Sequence, residues 1–246
     1  MTLEKLIEHI RQGREIEFEL GEAEYFHSHD GEKYHIYDKN QLVNSRQIPS
    51  YLQNVDSKLT LYKNCRNTKN IAKTAYSLLD VKPILYEKAW IGEVPCFYSF
   101  DSQDDFFNRL DKLIDDISKN DYSERVIITC SESLQKSIIY DRLIEQKGNK
   151  VHIYKSSTGK QTKVYTCPKF KGLETDNVIL IDVNENIFEV DNKSFYVAAT
   201  RAKKELFILI NKNLNYAKIL ESRFKESFSV KDKARQLTMA MHGLLK

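Results

Sequence analysis

The chain has 246 residues, 41% apolar and 30% charged, enough for one large domain or two small ones with a buried core, and this composition excludes a disordered chain. A net charge of +3 is mildly basic, compatible with nucleic acid without demanding it. Four widely spaced cysteines (Cys65, Cys96, Cys130, Cys167) show no metal-ligand or CxxC spacing, and no apolar run approaches the ~18–20 residues of a membrane span, so reduced thiols, a cytoplasmic location and no membrane partner are expected.

In chain order, Leu3, Leu6, Ile7 and Ile10 stand at helical spacing between Thr2, a candidate N-cap, and Gly13, a candidate stop. A starting methionine directly before this helix argues for a true chain start. Glu15–Leu20 alternates polar and apolar residues, and Glu24–His27 and Tyr34–Tyr37 read as further short strands around an Asp30-Gly31 turn. Together they predict a head of one helix and a small antiparallel meander. His27 and His29 would share a strand face, yet no cysteine or well-placed carboxylate joins them and His35 to complete a metal site.

Lys58–Tyr62 reads as a strand, and Thr68 as the cap of a helix over Lys69–Leu79. A strand over 94–100 and an amphipathic helix over Gln103–Ile117 follow. Arg125–Cys130 is apolar through its centre, as a central parallel strand is. The spacing then predicts a helix over Leu134–Lys147, strands at Val151–Tyr154 and Lys163–Thr166, and the most hydrophobic strand at Asn177–Val183. Phe195–Lys203 reads as a short helix whose Ala198 and Ala199 permit close packing. It carries Arg201 to a fixed point and feeds a strand over Leu206–Ile210. The tail from Asn213 reads as one or two charged helices. From residue 58 on, strands alternate with helices, which predicts an α/β layer with a mainly parallel sheet. Ligands in such sheets sit at the carboxyl ends of the strands, and Arg66, Gly172 and Arg201 are expected to share one edge.

Ser157-Thr-Gly-Lys-Gln161 is not a phosphate loop. The pattern needs glycine where Tyr154 stands and Ser or Thr where Gln161 stands, so a hairpin turn is expected. No other segment fits.

The run Phe195-Tyr-Val-Ala-Ala-Thr-Arg-Ala-Lys-Lys-Glu-Leu206 resembles motif VI of the UvrD/Rep/PcrA-like superfamily 1 helicases. Tyr165-Thr-Cys-Pro-Lys-Phe-Lys-Gly-Leu-Glu174 resembles motif V, Leu61–Thr68 with its following helix resembles motif IV, and Tyr37–Gln41 resembles the core of motif III. All four stand in the family's order. The resemblance covers roughly residues 34–212 and implies a RecA-like lobe, the second of the two in such helicases. It divides the chain into a head over 1–37, the lobe over 38–212 and a helical tail over 213–246.

Several roles are implied by this resemblance. Gln41 would sense the γ-phosphate. Arg66 and Arg201 would contact it as arginine fingers and carry the catalytic role, stabilising charge that develops in phosphoryl transfer. Glu174 would hydrogen-bond the ribose, and Gly172 would let the backbone approach the nucleotide. Thr166, Lys169 and Lys171 would meet the backbone of single-stranded DNA. The chain also departs from the family. The adenine-stacking tyrosine of motif IV is Cys65 here, Pro168 replaces the motif V histidine, and motifs I and II are absent. No ATPase activity is therefore expected of the chain alone. ATP and Mg²⁺ would bind only in a composite site, with a partner ATPase or helicase subunit that supplies a P-loop. The alternative is a non-catalytic regulatory module that binds nucleic acid or protein.

Overall fold

The computed structural model describes the strands within residues 16–36 and 58–60 by their backbone, and residues 67–79, 85–119, 124–146, 151–213 and 238–239 more fully. The expected first helix and almost all of the tail lie outside the described residues. Among those described, the strands form one sheet of four and one of seven.

The small sheet holds β1 (Ile16–Leu20), β2 (Ala23–Asp30), β3 (Lys33–Ile36) and β4 (Lys58–Thr60). The first three form the expected antiparallel meander, with Leu20 opposite Ala23 and Asp30 opposite Lys33. β4 differs from the sequence expectation. It pairs parallel with β1 rather than opening the larger sheet. Three residues are too few to carry the hydrophobic pattern that separates the two assignments.

Five helices flank the large sheet among the described residues. The elements run α1 (Lys69–Tyr76), β5 (Cys96–Phe100), α2 (Gln103–Ser118), β6 (Arg125–Thr129), β7 (Leu143–Gln146), β8 (Val151–Lys155), β9 (Gln161–Thr166), α3 (Cys167–Phe170), β10 (Thr175–Val183), α4 (Glu185–Glu189), α5 (Asn192–Ala199) and β11 (Ala202–Asn211). Strand order across the sheet is β5-β11-β10-β6-β9-β8-β7. The first five strands in that order are parallel, and β8 and β7 are antiparallel additions at one edge. This is a mixed, mostly parallel sheet flanked by helices, an α/β fold consistent with a RecA-like lobe.

Side-chain alternation explains the two cores. Val178 and Leu180 of β10 pack with Val126, Ile128, Ile208 and the apolar residues of α1 and α5. Their neighbours Ile179 and Ile181 face the other way, into a core with Ile127, Leu209 and the stripe Phe106, Leu110 and Ile114 of α2. A strand covered on both faces has no polar side, which is why β10 reads as a continuous apolar run. The helix starts follow sequence chemistry. Thr68 accepts a hydrogen bond from the Ile71 amide at 3.3 Å, and Ser102 accepts one from the Asp105 amide at 3.1 Å. Ser157–Lys160 is the turn of the β8–β9 hairpin, with Gly159 at φ +88°.

The predicted helix over Leu134–Lys147 does not form. Two short 3-10 turns, Leu134–Lys136 and Tyr140–Arg142, lead instead into β7. Asp182 overrides the helical spacing. Its carboxylate accepts the Ser137 hydroxyl at 2.6 Å, the Ile138 amide at 3.1 Å and the Thr129 hydroxyl at 2.6 Å. Those bonds hold Ser137 extended and break the helix at its centre. The backbone of Asp182 is itself left-handed (φ +57°), at a register shift between Leu180 and Val183 in the pairing of β10 with β11.

Candidate functional site

α5 and α1 lie side by side in opposite directions. Asn67, just before α1, reaches the residues after α5, while Leu78, just past α1, accepts a 2.9 Å hydrogen bond from Asn192 at the start of α5. Between them Tyr76 and Tyr196 meet edge to face, with centroids 4.9 Å apart and hydroxyls 3.2 Å apart. Ala198 and Ala199, fully buried, admit this close packing. α5 therefore delivers Arg201 to a defined place, at the amino end of β11.

The amino end of β10 lies next to it. Thr175 pairs with Ala202, and the Thr175 amide donates to the Arg201 carbonyl at 3.1 Å. The turn Lys171–Glu174 thus comes against Arg201, joining the two segments that carry motifs V and VI. The shared edge is the amino edge of the parallel strands, not the carboxyl edge expected from the general rule for open sheets. The reason lies in the connections. Both motifs precede their strand, and α3 carries the chain back from the carboxyl end of β9 before β10 begins.

The Arg201 side chain is 1% exposed. Its Nε donates to the Val197 carbonyl at 2.9 Å, Nη1 to the Leu173 carbonyl at 3.4 Å, and Nη2 to the Thr200 hydroxyl at 3.0 Å. Thr200 in turn donates to the Tyr196 and Val197 carbonyls. Five fixed N–H donors make guanidinium the cation best able to bridge such carbonyls. Cys167 lies close by, its thiol directed at the Ser194 carbonyl (3.3 Å). Burial first, and the Asp191 charge second, push that thiol up to about 12, although the positive charge of Arg201 pulls the other way. It is therefore a neutral core residue and not a nucleophile.

Asn67 is a site residue that the sequence did not reveal. Its buried amide donates to the Thr200 carbonyl at 2.8 Å and to the Ala202 carbonyl at 2.9 Å, bracketing Arg201. Its side-chain partners lie more than 130 positions away, so no local pattern marks it. Gly172 is exposed in the turn at φ +87°, with open space where a Cβ would stand. Glu174 is exposed and lines a cleft of about 400 Å³ with Glu124, Arg125, Gln161, Lys163 and Leu173.

The three DNA-contact candidates do not all come together. Thr166 ends β9 at the carboxyl edge, and Lys169 is on α3. Both line a cleft of about 170 Å³ with Glu132, Ser133, Gln135 and His152. Lys171 is exposed beyond α3 and does not line that cleft. Gln41, Arg66 and Cys65 lie outside the described residues, as do the side chains of His27, His29 and His35. Among the described residues no group of three or more His, Cys, Asp or Glu is placed to hold a metal, and no helix is long and apolar enough to cross a membrane.

Comparison with known proteins bears on this edge. Residues 148–213 match the family model described as the UvrD-like helicase C-terminal domain. The matched span contains β8 to β11, the Lys171–Glu174 turn and Arg201, and supports the resemblance drawn from motifs V and VI. No curated protein sequence matches the chain. Among solved structures, the C-terminal domain of a "possible DNA helicase" from Lactobacillus plantarum WCFS1 is similar at TM-score 0.43 and 16% identity, over 61% of this chain and 88% of that one. The PRRSV helicase is similar at TM-score 0.33 and 12% identity, over 65% of this chain and 25% of that one.

Proposed function

We propose that this chain, which carries a UvrD-like helicase C-terminal segment over residues 148–213, is the second lobe of a helicase-type ATPase completed by a P-loop partner. One observation carries the reading: the Lys171–Glu174 turn and Arg201 converge on one sheet edge, joined by the Thr175–Arg201 and Arg201–Leu173 hydrogen bonds. In this reading Arg201, together with Arg66, supplies fixed positive charge to the γ-phosphate, and Gln41 senses it. Glu174 takes the ribose hydroxyls, and Gly172 leaves the backbone open to the nucleotide. Thr166, Lys169 and Lys171 meet single-stranded DNA. ATP with Mg²⁺, held by the partner, supplies the transferable phosphoryl group. In this reading the Mg²⁺ ligands come from that partner, because motifs I and II are absent from this sequence. In this reading the protein is cytoplasmic, in keeping with four widely spaced cysteines.

The burial of Arg201 favours a second reading. A guanidinium bonded to Val197, Leu173 and Thr200 reaches a phosphate only by giving up the 3.4 Å bond to Leu173 and turning outward. A lobe in which it never does so is a regulatory module that binds nucleic acid or protein.

The two readings separate in a mixture of the full chain with a P-loop-bearing partner subunit, assayed for DNA-stimulated ATP hydrolysis. Arg201→Lys is expected to lower the rate by about 10³-fold or more, as loss of an arginine finger does. Glu174→Gln, a change at an exposed residue, should raise KM for ATP with the fold intact. Wild-type rates from both variants, with the thermal midpoint of each preserved, would sink the composite site and leave the module.

A further inference from the structure

Trp90, the chain's one tryptophan, is 71% exposed, and Tyr86 and Ile91 beside it are exposed as well. The loop that presents them is firmly mounted. The Lys69 amide donates to the Trp90 carbonyl at 2.9 Å, the Asn70 amide to the Ile91 carbonyl at 3.1 Å, and the Asn70 side chain to the Gly92 carbonyl at 2.8 Å. Lys69 Nζ adds a bond to the Glu87 carbonyl at 2.6 Å. Gly92 lies at φ +71°, and a Cβ there would stand 2.5 Å from the Thr68 Cβ, so only glycine fits this contact. The first amides of α1 are thereby used to hold the loop, and the helix start is closed to a phosphate.

Charge and shape narrow the ligand. Among the described residues 67–79 and 85–93, three lysines stand against two glutamates, a mild positive excess. Lys69 and Lys73 are one helical turn apart on α1, and Lys88 is two residues before Trp90, with Glu87 and Glu93 as the acidic neighbours. A flat, exposed indole on a loop that carries Lys88 and is bonded to Lys69 fits a base in a single strand, where the phosphates meet the lysines and the ring takes the base face.

We propose that Trp90 is a base-stacking platform for single-stranded nucleic acid, with Lys69, Lys73 and Lys88 on the phosphate backbone. This deepens the reading of the lobe as a single-strand binder. It places a contact beside the start of α1, on the amino side of the sheet, away from Thr166 and Lys169. The lone tryptophan is its own reporter. The full chain is titrated with short oligothymidylate and oligouridylate at low and high salt, following tryptophan emission and, separately, the anisotropy of a labelled oligonucleotide. Emission is expected to be quenched on binding and the quenching to weaken as salt rises. Trp90→Ala should weaken binding roughly tenfold or more, Trp90→Phe much less, with the thermal midpoint of both unchanged. Binding seen by anisotropy with unaltered emission, and unaffected by Trp90→Ala, would overturn this proposal while leaving the single-strand reading intact. Absence of any oligonucleotide binding at low salt overturns both. Quenching by ATP in place of the oligonucleotides overturns the polymer in favour of a mononucleotide.

Discussion

The two ends of the parallel strands are organised by opposite charges. At the amino edge, the buried cation Arg201 donates to carbonyls and a hydroxyl, and Asn67 donates to two further carbonyls on either side of it. At the carboxyl edge, the anion Asp182 accepts from two hydroxyls and an amide. The amino edge is therefore fixed by donors that collect backbone oxygens from several segments. The carboxyl edge is fixed by one acceptor that collects donors, at the cost of a left-handed backbone. One edge keeps its charge inside and presents a turn, Lys171–Glu174, to solvent. The other uses its charge to shape a loop, Ser131–Arg142, beside the cleft that holds Thr166 and Lys169.

This contrast is broken most severely at the carboxyl edge. Asp182→Ala removes the acceptor of three hydrogen bonds and keeps the strained backbone, and is expected to cost about 3 kcal/mol in chemical denaturation. Asp182→Gly loses the same bonds but relieves the strain, and should recover about 1 kcal/mol of that loss. Equal stability of the two variants would show that the left-handed conformation carries no strain. At the amino edge, Asn67→Ala leaves the Thr200 and Ala202 carbonyls without their side-chain donor and should cost about 2 kcal/mol by the same measurement. Faster amide hydrogen exchange confined mainly to Thr175 and nearby residues would locate the damage at this edge. A global loss spread evenly over the sheet would argue that Asn67 merely packs.

The smallest effect lies on β10 next to the same edge. Lys204 and Lys203 stand 2.7 Å and 3.4 Å from the Asp176 carboxylate and hold its pKa below the ordinary carboxylate value, the Lys204 hydrogen bond being the largest cause. A depressed folded-state pKa means stability that is present above the unfolded-state value and lost as pH falls through the folded one. The pair is partly exposed, so this amounts to well under about 1 kcal/mol. The stability gap between wild type and Asp176→Asn should shrink as the solution is acidified through the carboxylate range and in high salt. A gap that is constant with pH would remove the ion pair from consideration.

Much of the large sheet was legible because its signals are local. The apolar run of β10, the stripe of α2, the Thr68 cap and the Gly159 turn each depend on residues within one element. The Phe195–Leu206 motif likewise places Arg201 between a helix and a strand. What escaped depends on distant partners. Ser137 and Ile138 have helical spacing with their neighbours, yet their hydrogen-bond partner Asp182 stands some 45 positions later. Asn67 is one polar residue among several until Thr200 and Ala202 are brought to it. The edge at which the motifs meet escapes the sequence for a related reason. A rule about where loops lie cannot register that α3 returns the chain to the other end of the sheet.

The order of strands also dictates when this lobe can assemble. β5, the first strand of the large sheet to be synthesised, is bonded within it only to β11, the last. β11 also supplies one flank of β10, the most buried strand. A growing chain released up to α5 holds β5 without a neighbour and β10 with an open side, so the sheet closes only after Ala202–Asn211 has emerged. Pairing across so long a separation is slow compared with hairpin closure. Folding of the sheet should thus begin at the β8–β9 hairpin and finish, late and cooperatively, when β11 enters between two strands already waiting for it.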